Sequence, residues 1–312
     1  MKDAALLPIS DADLRAWQDL SLADQIAQNL DRIDRHIIRF DDLVKSPLPE
    51  GTRADFTLIY LHIPKTGGTT LEQVIAKNYR IADVLHINNP DLVRLPGAVF
   101  AKGDLQHVIM GHGQAGDLLY RFIDRPLVHI TLLRDPVRRV ISYYDYLQTY
   151  EEHALHEDVK SMTFEEFVRS RELVELHNGQ TMRLAGLLKK RHIGDAKIAG
   201  RALEDAKTML RDRTSFFGIT ERYAATLIMG QRLLSWRDIF HERRNISARR
   251  TDPVSLDPDL IAEVKRLNSI DLQLYEFAKC LFDERCTNAG IGPDSVIAFH
   301  GRNQAYQALL GP

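Results

Sequence analysis

The chain has little cysteine, no long apolar run and almost no net charge, and each absence closes off a class of protein. Two cysteines in 312 residues, Cys280 and Cys286, rule out a disulfide framework, so reduced thiols are expected. No uncharged apolar stretch is long enough to cross a bilayer, and the opening MKDAALLPISDADLRAWQDL lacks a basic segment followed by an apolar run. A cytoplasmic protein is therefore expected. With 41 Lys plus Arg against 43 Asp plus Glu, the formal net charge is −2. No global field draws this chain to nucleic acid or anionic lipid, and any anion site must be local. The twelve histidines are scattered and neither cysteine belongs to a CxxC pair, so no metal is expected. Internal repeats and low-complexity tracts are also missing.

What is present is a folded-domain composition. Hydrophobic residues make up 44% and charged residues 27%, far from a disordered profile, and the length suffices to bury a core. Residues 1–50 have a charged, helical rhythm through Leu14, Trp17, Leu20, Ile26, Leu30, Ile33 and Ile37. They are read as an N-terminal helical extension that packs on the domain or, second, joins two copies in a homodimer. Pro47, Pro49 and Gly51 break the pattern. From 51 to 286 buried-looking strands alternate with helices: Phe56–Ile63, Val108–Gly111, Leu127–Leu133 and Phe216–Thr220 as strands. Helical patterns cover Thr163–Arg171, Leu173–Leu188, Gly200–Arg213, Tyr223–Phe240 and Asp257–Phe282. Such alternation predicts an α/β fold, a parallel β-sheet flanked by helices. Residues 287–312 are weakly patterned and are expected to form a loosely attached C-terminal tail.

Two strand ends carry the chemistry. Pro64, Lys65, Thr66, Gly67, Gly68, Thr69 and Thr70 lie between a buried strand and a helix, where free backbone N–H groups and the helix dipole attract an anion. The glycines allow close backbone approach, Lys65 adds charge and the threonines offer hydroxyls. Lys65 precedes both glycines, unlike the GxxxxGK[ST] order of ATP-binding loops. At the second strand end, LLRDPVRRVISYY (132–144) places Arg134 at the carboxyl edge of the sheet, where ligands of open α/β sheets bind. Asp135 and Pro136 start a helix that leaves Ser142 off the apolar stripe.

HIPKTGGTT resembles the 5′-phosphosulfate loop of sulfotransferases that use 3′-phosphoadenosine 5′-phosphosulfate (PAPS), and Arg134 with Ser142 resembles their 3′-phosphate pair. HNGQTMRLAG (177–186), FFGITERY (216–223) and NSIDLQLYEFA (268–278) are similar to further segments of the group that includes heparan sulfate 2-O-sulfotransferase, with Arg183 one place late. The resemblance implies a P-loop-like fold, PAPS as sulfuryl donor with 3′,5′-adenosine bisphosphate as product, and an acceptor hydroxyl, by analogy on a glycan. Lys65 would stabilise the oxygen leaving sulfur. His112, in VIMGHGQAG, would serve as general base, as the family's G-H histidine does. Asp104 and His107 are the runners-up, His107 facing the opposite side of a continuous strand.

Arg243, Arg244, Arg249 and Arg250 form a basic cluster that either closes over an anion or is a solvated loop. Lys189, Lys190, Arg191 and His192 read as a solvated helix end. Two rival readings remain: an ATP- or GTP-dependent kinase with an unusual phosphate loop, and a non-catalytic nucleotide-binding protein of the same fold.

Overall fold

The computed structural model describes residues 56–80, 83–86, 108–115, 127–170, 173–242 and 251–310. The N-terminal extension, Asp104, His107 and the four arginines of 243–250 lie outside them. Five parallel strands, β1 (Thr57–Leu61), β2 (Val84–His86), β3 (Val108–Gly111), β4 (Leu127–Leu133) and β5 (Thr214–Ile219), form one sheet in the order β2-β3-β1-β4-β5. Every residue of β1, β3 and β4 is buried, as expected where helices cover both faces of a parallel sheet.

The helices are α1 (Gly68–Asn78), α2 (Pro136–Thr149), α3 (Phe164–Arg169), α4 (Gly179–Leu184), α5 (Ala196–Thr208), α6 (Tyr223–Leu234), α7 (Pro258–Leu267), α8 (Ser269–Asn288) and α9 (Pro293–Leu310). Local chemistry sets their ends. Asp135 accepts from Arg138 N at 2.9 Å with Pro136 in the first turn of α2, and Thr163 and Glu166 close a reciprocal capping box on α3.

Three expected elements divide or move. The helix read over Leu173–Leu188 is interrupted because Asn178 adopts φ 57° and turns outward. Its side chain accepts from Ile270 N and Asp271 N at the start of α8, while Asp271 accepts from Gln180 N and Thr181 N at the start of α4. Two helices thus cap each other. The helix read over Asp257–Phe282 breaks at Asn268, whose amide donates to Leu176 O and Val264 O. The tail expected to hang loosely from residue 287 is instead the helix α9. Phe299 is 1% exposed in the main core, stacked 5.9 Å from Phe240, and Asn303 accepts from His241 N.

Candidate active site

Register at the carboxyl edge of the sheet brings the key loops together. Leu61 pairs with Gly111 on one side and with Thr131 on the other, so the segments following β1, β3 and β4 emerge side by side. They line a cavity of about 760 Å³ that includes Pro64, Lys65, Gly67, Gly68, Thr69, Thr70, His112, Arg134 and Ser142. Of the nominated residues that are described, only Thr66 is turned away. It is fully buried, with its hydroxyl donating to Ile63 O at 2.8 Å, so it braces the loop from within. Lys189, Lys190 and His192 line a different cavity.

The loop itself is strained. Lys65 sits at φ 68° and Gly67 at φ 84°; the left-handed region suits glycine but costs a lysine free energy, the kind of strain that gathers at functional sites. No side chain caps the amino end of α1, leaving its N–H groups for an anion. A Cβ on Gly68 would stand 2.1 Å from His62 Nε2, so only glycine permits this approach. Neighbouring segments hold the loop from behind: Thr220 Oγ donates to Thr66 O, and Tyr223 Oη donates to Gly67 O at 3.2 Å.

The cations converge. Arg134 Nη1 donates to Lys65 O at 3.0 Å, and the backbone of Arg134 is gripped at both N–H and C=O by the Gln180 amide, each bond 2.9 Å. The Lys65 ammonium stands 4.0 Å above the Tyr146 ring. Burial, and then the neighbouring Arg134, lower Lys65 to about 8, so it still carries its charge at neutral pH.

His112 lies beside His62, ring centroids 4.3 Å apart, because both follow paired strand ends. Burial is the largest influence on His112, followed by the charges of His62 and Arg183, and together they depress it to about 4. The imidazole is therefore neutral near pH 7 and able to accept a proton. Glu72 accepts from His62 Nδ1 at 2.8 Å and lies 3.3 Å from His86 Nε2. Burial alone would raise its carboxyl, but these two histidines outweigh it and hold Glu72 at about 2.

Sequence reasoning passed over His62, Glu72, Arg139, Glu175, Gln180 and Arg183. His62 was detectable as the residue in register with His112; the others meet only through tertiary packing. Beyond Ser142, α2 adds Tyr143 and Tyr146 to the wall, with Tyr150 and His153 following. Among the described residues no group of three or more His, Cys, Asp or Glu is placed to hold a metal ion.

A buried parallel sheet, an uncapped helix behind a Lys-Thr-Gly-Gly turn and a facing arginine define a transferase of phosphate-loop type. The chain belongs to the sulfotransferase family, whose profile matches residues 52–278. Human heparan-sulfate 6-O-sulfotransferase 1 is 27% identical over 277 residues, which cover 75% of this chain and 67% of its own length. The Cricetulus griseus enzyme of that name is also 27% identical, covering 75% and 69%, and the mouse enzyme 27%, covering 75% and 67%. This chain is accordingly a PAPS-dependent sulfotransferase. The relatives found act at a 6-O position, which moves the likeness away from the 2-O enzyme used above.

Proposed function

We propose that the protein transfers the sulfuryl group of PAPS to a hydroxyl of a glycan, with His112 as general base and Lys65 stabilising the leaving group. The observation that carries this reading is the placement of a neutral imidazole and a charged ammonium in one cavity, on neighbouring strand ends. The acceptor oxygen forms a bond to sulfur while the bond from sulfur to the 5′-phosphate oxygen breaks. The hydroxyl proton passes to His112, and the electron pair stays on the phosphate, where Lys65 and the N–H groups of α1 meet it. Arg134 and Ser142 face the 3′-phosphate. A glycan acceptor is supported by the names of the relatives. The kinase reading requires an acidic metal ligand, yet Glu175, the carboxylate among the cavity's described residues, is engaged by two arginines.

The test is incubation with labelled PAPS against glycans, phenols, lipids and small alcohols. Label on a glycan is expected; label confined to another class would overturn the acceptor assignment.

A further inference from the structure

The proposed reaction divides between two loops, the one following β1 that carries Lys65 and the one following β3 that carries His112. Between them lies a set of charges that neither loop supplies. Arg139 is 1% exposed and Glu175 6%. Arg139 Nε donates to Pro64 O at 3.0 Å, Nη1 to Glu175 O at 3.0 Å, and Nη2 to the Glu175 carboxylate. The other oxygen of that carboxylate accepts from Arg183 Nε at 3.0 Å and Nη2 at 2.5 Å. Arg183 then turns its remaining nitrogen to the opposite loop, donating to Gly113 O at 2.8 Å and to His112 O at 3.4 Å. In return, Ala115 N donates to Arg183 O at 3.0 Å. One carboxylate thus ties a guanidinium on the carbonyl before Lys65 to a guanidinium on the carbonyl of His112.

Fold stability is a poor explanation for this arrangement. Burying two guanidiniums and a carboxylate costs desolvation that their attraction only offsets, and apolar groups of similar volume commonly serve as well. What the charges provide and apolar groups do not is direction: each fork fixes the angle and distance of the carbonyl it holds. The fit is tight, since a Cβ on Gly179 would lie 2.8 Å from both Arg139 Nη2 and Glu175 Oε2.

We infer that Glu175 is a positioning residue for sulfuryl transfer: through Arg139 and Arg183 it sets the separation of the Lys65 loop from the His112 loop. This inference rests on the reaction proposed above. Misplacing reacting groups by about 1 Å can lower turnover on the order of 100-fold without loss of binding.

The test uses the full chain with Glu175→Gln and Arg183→Lys. The amide presents N–H groups to one of the two guanidiniums, and lysine keeps the charge while losing the fork. For both, calorimetric titration with 3′,5′-adenosine bisphosphate should show unchanged stoichiometry and an affinity within about two-fold of wild type, while kcat with PAPS and a glycan falls on the order of 100-fold. A second readout separates this role from a merely structural one. The charged groups acting on His112 are His62 and Arg183, which lower its pKa, and Glu72 and Glu175, which raise it. Removing the Glu175 charge should therefore move the acidic limb of kcat/KM to lower pH. Unchanged kcat in both variants, or a loss of binding stoichiometry in proportion to kcat, would overturn the inference. A wild-type protein that neither binds the bisphosphate nor transfers sulfuryl would instead remove the reaction on which it rests.

Discussion

At the scale of single residues, the protonation states of Lys65 and His112 set when the site works. His112 must be neutral to accept a proton, and it loses that capacity as pH falls through about 4. Lys65 must be charged, and it loses its proton as pH rises through about 8. The predicted kcat/KM profile is therefore a bell with limbs near those values, and His112→Asn should abolish the acidic limb together with about 100-fold or more of the rate. Lys65→Ala should cost a similar factor in kcat, measured by labelled transfer, while the denaturation midpoint holds, because replacing lysine at φ 68° by alanine removes no packed apolar group. A flat profile across pH 4–8 with an active His112→Asn variant would assign the base elsewhere.

At the scale of elements, the strand-loop-helix unit around Gly68 does most of the work. Gly68→Ala would force a methyl against His62 Nε2 and Tyr60 Oη, both buried. Overpacking of this kind costs about 1–3 kcal/mol. Urea unfolding should show that loss, and bisphosphate affinity should fall with it as the loop is pushed outward. This element was legible in the sequence because an anion loop is built locally: a branched strand, glycines, a lysine and hydroxyls must be contiguous to form it. Arg134 and Ser142 were legible for the same reason, both belonging to one strand-to-helix turn. The Arg139–Glu175–Arg183 set was not, since its members come from α2, a turn before α4, and α4 itself, and no spacing between positions 139, 175 and 183 reveals that they meet. Gln180 was hidden likewise, because its grip on Arg134 depends on the mutual capping of α4 and α8.

At the scale of the whole molecule, the described residues form a sheet whose core extends into the C-terminal helix. The sequence could not show this, because α9 spreads its apolar residues around its axis. Phe299 points inward and is 1% exposed, whereas Ile297 and Leu309 are 68% and 86% exposed. With no stripe there is no periodic signal. Phe299→Ala should cost about 3 kcal/mol or more in denaturant unfolding, as large-to-small changes in a packed core do; a cost near zero would restore the picture of a detached tail.

The account depends on one nucleotide spanning two strand ends, its 5′ group at Lys65 and its 3′-phosphate at Arg134. The direct measurement is the affinity of wild type and Arg134→Ala for 3′,5′-adenosine bisphosphate and for 5′-AMP, which lacks the 3′-phosphate. The wild type should favour the bisphosphate by about ten-fold or more, as loss of a charge-assisted hydrogen bond to phosphate implies, and Arg134→Ala should bind the two nearly equally. Equal binding by the wild type, or an undiminished preference in the variant, would contradict it.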